Sequence, residues 1–154
     1  MNKYETIAES VLKDYPNVII EYWKSNKPWS GRCYINPKRI RVPRPKSLIS
    51  LCTLFHELGH LSNPYKLSCV NEYHACMFAQ SKLREYGLPV TKDIKIHDEW
   101  YIAFSLAQAL NRNLKTIPAE LRKYKKLLQE YDMHVHYGNG NNKIVKRYKA
   151  IYRR

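Results

Sequence analysis

Five residues, His56-Glu57-Leu58-Gly59-His60, constrain this chain more than any other feature of it. They continue the run Leu48-Ile49-Ser50-Leu51-Cys52-Thr53-Leu54-Phe55, which is apolar nearly all round and predicts a buried helix. Ser47 suits its N-cap, and Ser62-Asn63-Pro64 suits its end. On such a helix the two histidines of an HExxH motif lie about one turn apart on one face, with a rise of ~6 Å. Two imidazoles so placed can converge on one Zn²⁺ at ~2.0–2.1 Å. Glu57, beside the first of them, faces the open side and can take a proton from water that the metal activates. The motif fixes only three positions, so its surroundings carry much of the argument. Three ionisable side chains inside an apolar helix need a reason to be buried. Gly59 is costly in a helix interior and suits a place where something approaches the backbone closely.

A catalytic zinc site takes a third protein ligand and keeps one position open. The candidates downstream are Glu72, His74, His97, Asp98 and Glu99. A third histidine of the metzincin kind is excluded, because residues 61–67 hold neither the required Gly nor a His. Glu72 is the best placed. It lies on a second helix predicted over residues 69–86, which stops at Gly87 and Pro89. The short connection makes the two helices antiparallel neighbours, and the small Ala75 and Ala79 let them pack closely.

HELGH followed by Glu72-Tyr73-His74-Ala75-Cys76-Met77-Phe78-Ala79 on the next helix resembles the gluzincin-type metallopeptidases, and especially the ImmA/IrrE family. The resemblance covers roughly residues 5–86, and its specific motifs are those two segments. It implies that His56, His60 and Glu72 ligate zinc and that Glu57 is the general base. It also implies cleavage of regulatory proteins, such as repressors of mobile elements, by a protein of the kind that phages or integrative elements encode. By the same analogy an extended substrate pairs with the edge strand beside the active helix, here residues 39–42. Two positions depart from the family pattern. His74 stands where an acidic residue is frequent and points to a different face from Glu72; Cys76 stands where related peptidases carry Asp or Asn, and reads as inert core. His97, Tyr101 and Tyr73 are each able to stabilise a tetrahedral intermediate, and the sequence does not choose among them. Trp100 and Tyr101 read as packing residues of the third helix.

The rest of the chain fits an α+β fold: a zincin-like, minimal gluzincin core with a small antiparallel sheet, the HExxH helix and the glutamate helix, followed by C-terminal helices. Ile7, Val11 and Leu12 sit at helical spacing in residues 3–14. Val18-Ile19-Ile20-Glu21-Tyr22-Trp23 is a β-rich run, and short strands follow over residues 32–35 and 39–42, joined through Asn36-Pro37. A third long helix is predicted over residues 98–111. A fourth is predicted over residues 118–131, with Pro118 at its first position. Residues 1–137 read as the metallopeptidase domain, and residues 138–154 as a flexible hinge, Gly138-Asn139-Gly140-Asn141-Asn142, and a basic tail.

Charge is the second strong signal. The chain carries 27 Lys plus Arg against 13 Asp plus Glu, a net +14. Such a field attracts polyanions without specifying a fold. The tail holds Lys143, Lys146, Arg147, Lys149, Arg153 and Arg154 with interleaved apolar residues. It reads either as a basic amphipathic helix lying along phosphates or as a helix docked on the domain with its charges solvated. His134 and His136 alternate before the hinge and are not read as ligands. A second basic cluster, Arg44 and Lys46 with Lys38, Arg39 and Arg41 nearby, reads either as a preference for acidic substrates or as a wet sheet edge. Cys33, Cys52, Cys69 and Cys76 form no CxxC pair and read as reduced thiols. No apolar run reaches the ~18 residues of a membrane span, and the first 15 residues show no secretory pattern. The expected compartment is therefore the cytosol, with no membrane partner. Two functions are expected from these features. One is a zinc-dependent peptidase (a hydrolase) acting on a protein substrate. The alternative is a non-proteolytic basic module, a phage-type inhibitor or regulator acting on nucleic acid or a nucleic-acid-binding protein.

Overall fold

A computed structural model describes residues 1–62 and 65–131. The expectations for residues 132–154, the hinge and the basic tail with His134 and His136, fall outside the described residues. The described residues divide into two compact units, 1–62 with 74–90, and 65–73 with 91–131.

In the first unit, helix α1 (Lys3–Leu12) begins at a capping box. The Asn2 side chain accepts from the backbone of Tyr4 and Glu5, and the Glu5 carboxylate accepts from the Asn2 N–H. Strands β1 (Ile19–Trp23), β2 (Arg32–Tyr34) and β3 (Arg39–Pro43) form a sheet of order β1-β3-β2. The hairpin from β2 to β3 is antiparallel, as the Asn36-Pro37 break suggests. β1, however, runs parallel to β3, so the sheet is mixed rather than wholly antiparallel. The loop after β1 crosses the end of the sheet and delivers β2 to the far side of β3. The central strand is therefore β3, with both its ladders filled. Residues 39–42 are thus no edge strand and cannot accept a substrate strand; the edges are β1 and β2.

Helix α2 (Leu48–Ser62) packs on β2 and β3. Its start is held by a reciprocal pair, with the Ser50 N–H donating to Ser47 Oγ and the Ser47 N–H donating to Ser50 Oγ. Leu51, Leu54, Phe55 and Leu58 are fully buried, together with Ile40 and Val42 of β3, and form the core under the sheet. Helix α3 (Ser68–Glu85) contributes residues 74–85 to this unit. It ends where Gly87 takes φ +66° and the Leu88 N–H donates back to the Leu83 carbonyl at 2.8 Å.

In the second unit, helix α4 (Lys92–Asn111) begins six residues before the predicted start. Thr91 caps it by accepting from the Ile94 N–H, and Asp93 occupies the favourable first turn. The predicted fourth helix is a 3₁₀ segment, Ala119–Tyr124, followed by the α-helix α5 (Lys125–Tyr131). Pro118 is its N-cap, with extended ψ, rather than its first helical residue. Among the described residues, no helix is long and apolar enough to cross a membrane.

Candidate metal centre

Burial of Leu51, Leu54, Phe55 and Leu58 sets the rotation of helix α2. His56 and His60 then share the face turned to α3. Their Nε2 atoms lie 3.0 Å apart, with the rings edge to face at 84°. His56, His60 and Glu72 each offer one ligand atom, and these atoms all lie within 4.8 Å of one another. All three side chains are partly buried. It is the single such group among the described residues, so the structure brings together the three side chains that the sequence offered as candidate ligands.

The donor set suits a divalent cation. Two imidazole lone pairs aimed at one another at 3.0 Å repel unless a proton or a cation sits between them. Tetrahedral ligands at ~2.0–2.1 Å from one ion stand about 3.3–3.4 Å apart, so the imidazoles need to spread by only a few tenths of an ångström. A carboxylate beside two neutral imidazoles completes the nitrogen and oxygen set that zinc favours. These residues could hold a metal ion.

α2 and α3 run antiparallel and close together. Phe55 stacks on Tyr86 with ring centroids 6.5 Å apart, while Gly59, a turn further along α2, meets Ala75. A Cβ built on Gly59 would lie 2.9 Å from the Ala75 Cα and 3.1 Å from the Phe78 Cβ. The close approach expected of Gly59 is therefore this helix crossing, and Ala75 is its small partner. Glu57 is 7 % exposed and turns toward the sheet, where its carboxylate lies against the Gly31 backbone. A Cβ on Gly31 would meet Glu57 Oε1 at 2.5 Å. One turn earlier on the same helical face, the Thr53 hydroxyl donates to the Pro28 carbonyl at 2.6 Å. Thr53 thus holds the loop that places Gly31 over Glu57.

Three contributors escaped the sequence. Gly31 and Thr53 act through contacts across 25 residues or so, which no local pattern shows. Cys76 is fully buried, and its Sγ lies 3.6 Å from Nδ1 of His56. When Nε2 of His56 is a ligand, Nδ1 carries the proton, and Cys76 Sγ is positioned to accept it. Cys76 is buried core, as read from the sequence, and it also touches the His56 ring. The clue was its place one helical turn after Glu72 on the glutamate helix.

The remaining candidates have neighbours of their own. His97 Nδ1 lies 3.3 Å from the buried Asp98 carboxylate, and its ring stacks on Tyr101 at 5.8 Å. Tyr73 meets Tyr124 edge to face at 6.2 Å. Trp100 is buried as expected of a packing residue. His74, Asp98 and Glu99 join no cluster of potential ligands among the described residues.

No protein-family model matches this chain, and neither curated proteins nor solved structures gave a match.

Proposed function

We propose that this chain is a zinc-dependent metallopeptidase with a zincin-like core, resembling the ImmA/IrrE family, that cleaves a regulatory protein partner. The observation that carries the reading is the meeting of His56, His60 and Glu72 ligand atoms within 4.8 Å, next to a buried Glu57. In this reading those three side chains hold the ion, and a bound zinc supplies Lewis-acid polarisation and lowers the pKa of water toward neutrality. Glu57 accepts the proton of the attacking water on a carboxylate oxygen and returns it to the leaving amine. Gly31 and Thr53 support the position of that carboxylate. Cys76 orients the His56 ring. The substrate strand pairs along β2 (Arg32–Tyr34), the sheet edge that begins beside Gly31, in place of the filled β3.

Zinc titration against a chromophoric competitor tests the ligand set. The wild type takes up one equivalent, His60→Ala takes up none, and Glu57→Gln still takes up one. Cleavage of a quenched fluorogenic peptide library by the zinc-loaded wild type, and its loss in Glu57→Gln, tests the activity. A Glu57→Gln protein as active as the wild type would overturn the peptidase reading.

A further inference from the structure

The sheet has a second face, turned away from the core. Strand alternation and register put Glu21 and Trp23 of β1, Arg39 and Arg41 of β3, and Arg32 and Tyr34 of β2 on it. The opposite face carries the buried Ile40 and Val42. Rings and cations alternate across the outer face. The Arg39 guanidinium lies 4.3 Å from the Tyr34 ring centroid, and that of Arg41 lies 5.1 Å from the Trp23 ring. Glu21 is the one carboxylate of these six residues; it pairs with Arg41 at 2.9 Å and Arg39 at 3.3 Å, leaving Arg32 uncompensated by it. Both paired arginines remain well exposed, at 36 % and 40 % of their side-chain surface. The positive field is dense enough to hold the Tyr34 hydroxyl below its ordinary pKa, first through the hydrogen bond from Arg32.

Trp23 of this face also lines an open groove of about 890 Å³ at the end of β1. Tyr22 and Trp23 line it together with Lys24, Lys27, Arg44 and Lys46; among the described residues no carboxylate lines it, and Glu5 lies 4.0 Å from Arg44. The Arg44 guanidinium lies 5.0 Å from the Tyr22 ring. An acidic peptide would need only the cations. Partly exposed rings set between those cations suit a ligand that carries a phosphate and an unpaired base at every repeat.

We propose that the outer face of the sheet and the adjoining groove bind single-stranded nucleic acid, with Tyr34 and Trp23 as base-stacking platforms and Arg32, Lys24 and Lys27 on the phosphates. Duplex presents no free base face and gains only the electrostatic part of this interaction. The inference does not rest on the peptidase reading, since it uses none of the metal-site residues.

The test is fluorescence anisotropy of the full chain with labelled dT12, the matching duplex and an oligoglutamate peptide, across a range of salt. Single-stranded dT12 is expected to bind more tightly than either competitor and to quench Trp23, a quench absent in Trp23→Phe. Lys24→Gln/Lys27→Gln, both in an exposed loop, should lower the log–log salt slope by about 1.4, two phosphates at ~0.7 each. Tyr34→Ala should weaken dT12 by roughly 5- to 150-fold, the loss of one stacked base. Circular dichroism confirms that each variant is folded. Unchanged affinity and slope in both the lysine and Tyr34 variants would overturn the proposal and move any binding to the basic tail. Tighter binding of duplex or oligoglutamate, or no binding of dT12, would overturn it as well.

Discussion

Gly59→Ala tests the geometry that lets the two ligand-bearing helices come together. In an unobstructed helix this change stabilises by about 1 kcal/mol through helix propensity. Here the new methyl would stand 2.9 Å from the Ala75 Cα and 3.2 Å from the Ala75 carbonyl oxygen. Both are backbone atoms and cannot rotate away. Reaching an ordinary 3.4 Å separation requires α2 and α3 to part by about 0.5 Å. Overpacking of this kind costs about 1–3 kcal/mol, and a backbone clash belongs to the upper part of that range. After the propensity gain, the net loss is about 1–2 kcal/mol. For a chain of 154 residues that lowers the Tm by about 2–8 °C. Zinc affinity should fall as well, because α3 also carries Glu72. Calorimetry with and without zinc measures both effects. Gly87→Ala is the control: its φ of +66° makes the substitution strained, but nothing lies within 4 Å of the new methyl. It should lose stability and leave zinc affinity unchanged. A Gly59→Ala protein that melts at or above the wild-type temperature would refute the crossing as described.

Other expectations follow from the same geometry. Gly31→Ala forces the Glu57 carboxylate back by about 1 Å, so peptide cleavage should drop ~100-fold while zinc uptake persists; loss of zinc would show that Gly31 supports the ligands instead. Thr91→Ala removes the cap of α4 and should cost about 1 kcal/mol, read as a shift of the urea midpoint. Of the four thiols, Cys33 alone is not buried, and a thiol reagent should modify one group quickly in the native state and the other three only on unfolding. Burial pushes the Cys69 thiol up, so the folded chain keeps a proton that the unfolded chain gives up. Stability should therefore fall as pH rises through about 8.5, and less so in Cys69→Ala.

The parts of the fold that local chemistry specifies were legible from sequence. The HExxH helix, its Ser47 cap, the glutamate helix with its Gly87 stop, and the β2–β3 hairpin all appear within two residues of expectation. What eluded the sequence depends on distant pairings or on competing local signals. Nothing within β1 distinguishes a parallel from an antiparallel partner, because the loop of residues 24–31 decides on which side of β3 the chain returns. The first turns of α4, outside the predicted 98–111, rest on the Thr91 cap and on the burial of Ile94. Pro118 fits an N-cap as well as a first helical position, and the segment tightened into a 3₁₀ turn. At the candidate metal centre the motif spacing singled out His56 and His60, and the next helix supplied Glu72, the three side chains that could hold an ion. The contacts of Cys76 on His56 and of Gly31 on Glu57 arise only when α2 has been packed against α3 on one side and the sheet on the other.

Anomalous diffraction at the zinc edge, from crystals grown with one equivalent of zinc, probes the core of this account most directly. It predicts one strong peak touching Nε2 of His56, Nε2 of His60 and a Glu72 oxygen. No density there, or zinc held by other residues while Glu72 turns away, would contradict it.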